Sequence, residues 1–276
     1  MAISAKVICD SISPTGARLT TVEAVHHRFI LPQILTHRLF SRNSASLRAI
    51  PTARLVEQVR TDPAMPVHWG SNIRGMQAGE ELRGCDLQFV KARWKNSARH
   101  AADTAEQMAA FGLAKEVGNR VLIPYLWNTI ILTATSDGWD NFFEQRIGDL
   151  AQPEIDLLAQ RIHAEMTASV SEELDYGEWH MPYLREADWY EEGAAISVAT
   201  LRRLSVARCA RVSYNPPDGK RDPEKDLTLY QRLVTAEPPH WSPLEHVATP
   251  AGGLIGSEPL GNLTGWHQLR HLKELQ

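Results

Sequence analysis

Between Asp86 and Phe111 the apolar residues Leu87, Val90, Trp94, Ala98, Ala101, Ala105 and Met108 recur every three or four positions, and Gly112 follows them. That spacing predicts one long helix with a single apolar stripe and a glycine stop, and the stripe requires a core to face. Elsewhere the period changes. Ala5 to Cys9 and Leu19 to Val25 are short, β-branched and partly alternating, and Val121 to Thr135 ends in the run Thr129-Ile-Ile-Leu-Thr-Ala-Thr135. All three predict strands. Helical spacing returns over Phe29 to Phe40, with Pro32 in the first turn, and over Trp139 to Gln145 and Ile196 to Val206. Pro153 opens a helix with Ile155, Leu158, Ile162 and Met166 on one face, and Asp222-Pro223 supplies an N-cap and a first helical residue before Leu227, Tyr230 and Val234. Leu55 to Val59 adds a helical turn, and the Pro- and Gly-rich stretch from Asp62 to Gly84 reads as a long loop. No repeat or low-complexity linker divides the chain. The expectation is one α/β (α+β) domain over residues 1–276, an antiparallel or mixed sheet with a helical layer.

Composition narrows the function class. The 276 residues are 43% apolar and 22% charged, which suits a globular enzyme or small-ligand binder. No apolar stretch is long enough to span a bilayer, and Met1 to Thr20 lacks the pattern of a secretion signal, so a cytoplasmic protein with no membrane partner is expected. Cys9, Cys85 and Cys209 cannot build a disulfide framework, and no CxxC or HExxH spacing predicts a metal site. A net charge of −4 argues against a nucleic-acid polymer as partner.

The charge is unevenly spread. From Ala24 through Val56 there is no Asp or Glu, while the stretch carries Arg28, Arg38, Arg42, Arg48 and Arg54 with His26, His27 and His37. Guanidinium forks fit phosphate bidentately, and Ser41, Asn43, Ser44 and Ser46 between them supply short orienting donors and acceptors. A solvated basic loop is the plainer alternative, but solvated surfaces normally mix both signs.

The loop Thr36-His-Arg-x-x-Ser-x-Asn-x-x-Ser-x-Arg48, with Gln33 ahead of it, resembles the RHRxxSxNExSxRY signature of the flavin-dependent thymidylate synthases. Glu116-Val-Gly-Asn-Arg120 with Pro124, Trp139-Asp-Asn-Phe-Phe-Glu-Gln-Arg146 and Ala151-Gln-Pro-Glu-Ile155 resemble further stretches of that family. So do Ala210-Arg-Val-Ser-Tyr214 and His240-Trp-Ser-Pro-Leu-Glu-His246, although in the family these precede the signature loop. The chain thus resembles a circularly rearranged relative. Residues 62–84 and 170–196 have no counterpart in the resemblance.

The resemblance implies a homotetramer that holds FAD at subunit interfaces and methylates dUMP, with methylenetetrahydrofolate and NADPH as cosubstrates and no enzyme thiolate. It places His37, Arg38, Ser41, Asn43, Asn141, Ser213 and Ser242 at the flavin. It places Gln33, Ser44, Ser46, Arg48, Arg120 and Arg146 at the nucleotide, with Arg146 and His240 as the catalytic pair. Plainer readings stand beside these: Arg146 as an ion pair with Glu144 or Asp149, His240 and His246 as loop or core histidines, Asn141 as a cap, Arg120 as a charge answering a helix dipole. Trp69, Trp179 and Trp241 either stack on a flat ring or anchor loops. Cys209, close to Arg211, lacks a partner pattern for an activated thiolate. Three positions depart from the signature: Thr36 replaces an arginine, Ser44 a glutamate and Ala49 a tyrosine. They leave open hydroxymethylation, dCMP as acceptor, or a nucleotide-binding protein without chemistry.

Overall fold

The computed structural model describes residues 1–191, 194–213, 222–252 and 261–272. β1 (Ser4–Ile12) and β2 (Arg18–His27) form an antiparallel hairpin. A 3-10 turn (Arg28–Ile30) and the single-turn α1 (Leu31–Ile34) lead to β3 (Ser41–Ser44), followed by α2 (Thr52–Thr61) and the long α3 (Gly84–Ala110). Then come α4 (Lys115–Gly118), a 3-10 run (Asn119–Tyr125), β4 (Trp127–Thr135), α5 (Ser136–Arg146), α6 (Pro153–Ala168) and β5 (Glu172–Glu173). The remainder holds the short pair β6 (Tyr190–Glu191) and β7 (Ala194–Ala195), α7 (Val198–Ala210), α8 (Pro223–Thr235), a 3-10 turn (Ser242–His246), and the pair β8 (Ala248–Pro250) and β9 (Trp266–Gln268).

The central sheet runs β3-β4-β2-β1-β5, antiparallel except for the β1–β5 contact. This is the mixed α/β architecture the sequence predicts. Side chains alternate along its strands, so each strand feeds two layers. On one face Val22, Ala24, Ile130, Leu132 and Ala134 pack on Trp139 and Phe142 of α5 and on Ile155, Leu158, Ile162 and Met166 of α6. Full burial of side chains this size contributes about 1.5–3 kcal/mol each. On the other face Leu19 packs with Trp266 and Leu263, and Ile131 with Cys209 and Val212 of the C-terminal segment. A sheet covered on both faces holds its strands, and the loops at their ends, in fixed register.

The stripe of α3 finds its core in α2 and the 3-10 run, where Ala98, Ala102 and Ala105 let the backbones approach Leu55, Val59, Leu122 and Leu126. Ala102 is buried where Ala101 was expected, a shift of one position along the same face.

Two expected elements are shorter than their patterns. The helix over Phe29 to Phe40 stops at Ile34, because the guanidinium of Arg42 donates to the Leu35 and His37 carbonyls, at 2.6 and 3.3 Å, that a continuing helix would use. The strand over Val121 to Thr135 begins only at Trp127, since Pro124 has no N–H for a ladder and sits in the preceding 3-10 run. The stretch from Asp62 to Gly84 is a loop closed by a bridge between Gly70 and Glu81. Gly70 is required there, since a Cβ would fall 2.5 Å from that of Ala78. Among the described residues no helix is long and apolar enough to cross a membrane, and no group of side chains could hold a metal ion.

Candidate active site

Arg146 ends α5, and its guanidinium reaches back over the turn that follows α1. Its Nε donates to His37 Nε2 at 2.9 Å and its Nη2 to the Thr36 hydroxyl at 3.2 Å. It forms no ion pair with Glu144 or Asp149 among the described residues. His37 is buried against Phe40 and Phe142, with Phe142 edge-on at 4.9 Å. Burial, with Arg146 and Arg42 close by, pushes its pKa down to about 4. The imidazole is therefore neutral at pH 7 and can accept the Arg146 proton. A neutral histidine that fixes an arginine leaves the cation's charge uncancelled for a ligand.

The same turn extends to Gln33. Thr36 donates to the Gln33 carbonyl at 2.7 Å, and the Gln33 amide binds Gln152, which in turn donates to Glu154 at 2.9 Å. Beside Gln152, Phe29, His68, Trp94, Pro124 and Glu154 line a cleft of about 370 Å³.

Farther along the loop, Ser46 accepts from the Arg48 backbone, and exposed Arg48 pairs with exposed Glu116 at 2.9 Å. Asn119 clasps this loop from the other side, donating to the Leu47 and Ile50 carbonyls at 2.9 and 3.2 Å. That bond ties Arg120, which is exposed, to the region of Arg48. Ser44 shares Asn128 with Arg28 and buried His26. Asn119 and Asn128 escaped the sequence reading; the only trace of Asn119 was its place directly before Arg120.

Residues expected at the flavin divide into two sets. Ser41 is fully buried and accepts from Gln268 at 2.8 Å and from Asn262 at 3.2 Å, while Asn43 donates to the Cys209 carbonyl at 2.6 Å. These two join the C-terminal segment to β3. Arg38 is exposed, Ser242 is half-buried, and Asn141 is half-buried beneath Gln145, which donates to it at 2.8 Å. Ser213 closes the 3-10 turn Arg211–Ser213 with only its backbone described, and Tyr214 lies outside the described residues. His240 is exposed and anchored through its backbone N–H to the Leu233 carbonyl at 3.0 Å; no hydrogen bond joins it to Arg146 or His37.

Between these parts runs a buried polar chain. Ser11 binds His180 Nδ1 at 2.9 Å, His180 Nε2 binds Thr21 at 2.8 Å, Thr21 binds Thr133 at 2.6 Å, and Thr133 binds His246 Nδ1 at 2.8 Å. Desolvation pushes both histidines down to about 3, so both are neutral. Trp69 meets Trp94 edge-on at 5.9 Å, Trp179 carries Arg202, and Trp241 packs in the C-terminal cluster. Cys9, pushed up to about 12 by burial, is no thiolate, and Cys209 is wholly buried.

The sequence model of the thymidylate synthase complementing protein family matches residues 19–170, more than half of the chain. The chain belongs to that family. The match includes the loop around Arg38 and reaches past Arg146; it ends before the stretches at 210–246. None of the curated proteins compared with this chain matches it. Among solved structures, the UMP/dUMP methylase PolB from Streptomyces cacaoi bound with 5-Br dUMP is 14% identical over 60% of this chain and 90% of that one, with a TM-score of 0.50. The same methylase bound with 5-Br UMP is 15% identical over 60% and 89%, with a TM-score of 0.49. The first likeness shows a shared fold.

Proposed function

We propose that this member of the family transfers a one-carbon unit to the 5-position of a deoxypyrimidine monophosphate, dUMP in the first instance, with methylenetetrahydrofolate as donor. The observation that carries the reading is Arg146 held by neutral His37 at the edge of a stretch free of carboxylates. A pyrimidine ring attacks a one-carbon donor only after its 5-position gains electron density. Cys209 is buried, desolvation keeps the Cys9 thiol protonated, and Cys85 is exposed at the start of α3, away from Arg146 in sequence and element. On this reading the density is therefore raised by stabilising negative charge on the ring carbonyl and nitrogen. A fixed guanidinium does this without reorganisation, and more strongly where water is excluded. Arg48 and Arg120 bind the phosphate, and Gln33, Ser44 and Ser46 orient the nucleotide. The neighbour crystallised with 5-Br dUMP supports a uridine-type substrate.

The residues fit a flavin dinucleotide in charge and donor type. Exposed Arg38 sits in a stretch without acids and suits a diphosphate, and Ser242 and Asn141 offer polar atoms to a ring. FAD, reduced by NADPH, would supply the hydride. Ser41 and Asn43 serve it indirectly, by holding β3 against the C-terminal segment. His240 joins the site from the exposed turn before Ser242. Leu35, Leu39, Ile147 and Leu150 are exposed around Arg146 and His37, Leu150 by 88%, and this supports a homo-oligomer, a tetramer, whose second copy completes the site.

The contacts of Ser41 with Gln268 and of Thr133 with His246 also support the circular rearrangement, since they bring the displaced stretch beside the signature loop. On this reading residues 1–276 work as one catalytic unit. Thr36 and Ser44, smaller than the arginine and glutamate of the signature, leave room for a water, which makes hydroxymethylation the second outcome.

The test is incubation of the purified protein with dUMP or dCMP, methylenetetrahydrofolate, FAD and NADPH, with mass analysis of the nucleotide. A methylated dUMP is expected. A product heavier by one further oxygen reverses the order of the two outcomes, and no flavin spectrum with no product removes the reading.

A further inference from the structure

The buried charges of this protein have partners, with one exception among the described residues. Asp10 meets Arg18 at 2.6 Å, Glu154 accepts the Val67 N–H at 2.9 Å, and Arg208 meets Asp226 at 3.0 Å. Arg202, on α7, is only 8% exposed, makes no hydrogen bond or ion pair, and has a fully buried Nε with no acceptor. Its guanidinium lies on the Trp179 ring, 4.5 Å from the centroid. That contact attracts the charge but accepts no N–H. Burial and the adjacent Arg203 hold its pKa below the usual arginine range.

A second orphan stands beside it. Tyr230 of α8 is 4% exposed, and its hydroxyl proton has no acceptor. Arg203 leans over the same ring at 5.8 Å, so any bond from that guanidinium to the phenol oxygen still leaves the phenol proton unused. The carboxylate closest in sequence on α8, Asp226, is committed to Arg208 and Arg211. The polar groups carried on this cluster are two guanidiniums, which only donate, and a phenol whose proton is free to donate. An unpaired buried cation is costly, and a chain that pairs its other buried charges has reason to leave this one open.

We propose that the α7–α8 face is an oxyanion site in which Arg202, Arg203 and Tyr230 together bind a phosphoryl group. Three donor groups from two helices suit a tetrahedral anion, which offers an oxygen to each; a planar carboxylate offers two. The site lies on the C-terminal side of the sheet, whereas Arg146 lies on the α5 side. It therefore takes a different phosphoryl group from the one held at Arg48 and Arg120, and it stands whether or not the proposed reaction is correct.

Calorimetric titration of the full chain with inorganic phosphate tests this at ionic strength matched with sodium chloride. Wild type and Arg48→Ala should share a phosphate site that Arg202→Met loses or weakens at least tenfold, and Tyr230→Phe should weaken it several-fold. In phosphate-free buffer Arg202→Met should melt at or above the wild-type temperature, because it removes an unpaired charge. Equal phosphate binding by wild type and Arg202→Met overturns the proposal. So does a marked fall in the phosphate-free melting temperature of Arg202→Met, which would reveal an internal counter-ion. Acetate binding as tightly as phosphate overturns the choice of a phosphoryl group.

Discussion

The loop region around Arg38 to Arg48 and the helical pair α7–α8 are both rich in arginine, yet they use it in opposite ways. In α7 the Arg208 side chain is wholly buried and bonded to Asp188 at 2.6 Å and Asp226 at 3.0 Å, with Arg211 adding 2.5 Å to the same Asp226. In the loop region no carboxylate occurs from Ala24 to Val56, and Arg48 reaches its acid partner on another element with 81% of its side chain exposed. Cations answered within the fold are architecture. Cations exposed at a loop, with Arg146 of α5 held beside them by neutral His37, are on the proposed reading prepared for an anion from outside.

The histidines that join these regions give the largest expected effect. His26 and His37 are pushed down to about 4, and His180 and His246 to about 3, each chiefly by burial. In the unfolded chain they titrate near 6.5, so between 6.5 and these lower values the unfolded state binds more protons. Their contribution to stability is thus complete above about pH 6.5 and is lost progressively as pH falls towards 4 and 3. The melting temperature should fall steeply from pH 7 to pH 4.5, and His246→Asn should flatten the slope. A wild-type melting temperature constant over that range would show that the chain through Thr21 and Thr133 does not hold neutral histidines.

Breaking the architectural arginine comes next. Arg208→Ala strips Asp188 of its buried partner and leaves Asp226 with Arg211 alone, and should cost about 3–5 kcal/mol in denaturant unfolding. Nucleotide affinity of the fraction still folded should change little. If Arg208→Ala keeps its stability and loses nucleotide, the division between the two regions is wrong.

Arg146→Ala should do the reverse. Turnover should fall on the order of 10²–10³-fold, the scale for losing one preorganised electrostatic donor, roughly 2.7–4 kcal/mol. The melting temperature should stay close to wild type, since both of the guanidinium's partners, His37 and Thr36, are neutral and neither is left with an uncompensated charge. Arg146→Lys should fail to restore the rate, because an ammonium cannot keep the His37 and Thr36 bonds while facing a planar ring. Steady-state kinetics beside thermal melts separate the two losses.

What the sequence made legible follows the range of the interaction. The β1, β2 and α6 patterns are local and period-driven, and the structure places them where the periods predict. The helix expected to Phe40 was cut short by Arg42, a side-chain effect that no hydrophobic period records. The pairing of Arg146 with His37 spans 109 residues, and that of Gln268 with Ser41 spans 227. Motif resemblance brought Arg146 and His37 into one candidate site but assigned them to different ligands. Only the fold shows that one holds the other. Arg202 had no signal at all, because a lone arginine in a helix reads as surface charge until its burial is known.

Two smaller effects probe the open side. Arg48→Ala and Arg120→Ala should each weaken nucleotide binding by about 1.5–3 kcal/mol, the scale of a hydrogen bond to a charged group. Flavin content should change much less. Equilibrium titration with dUMP checks this, and unaltered affinity in both variants would move the phosphate elsewhere.

The smallest expected change separates the two regions most sharply. Arg48 and Glu116 form an ion pair whose side chains are 81% and 44% exposed, and a pair of that kind contributes about 0–1 kcal/mol. Glu116→Gln should therefore leave the unfolding free energy almost unchanged. It should also strengthen nucleotide binding, because the carboxylate competes with the incoming phosphate for the same guanidinium, and the amide competes far less. The gain should shrink as salt is added, since exposed charges are screened over about 8–10 Å at physiological ionic strength. The equivalent change in the paired region, Asp226→Asn, should destabilise the protein without improving any affinity. If Glu116→Gln instead weakens nucleotide binding, the ion pair positions Arg48 for its ligand, and the loop region is braced by its own acid as firmly as α7 is by Asp226.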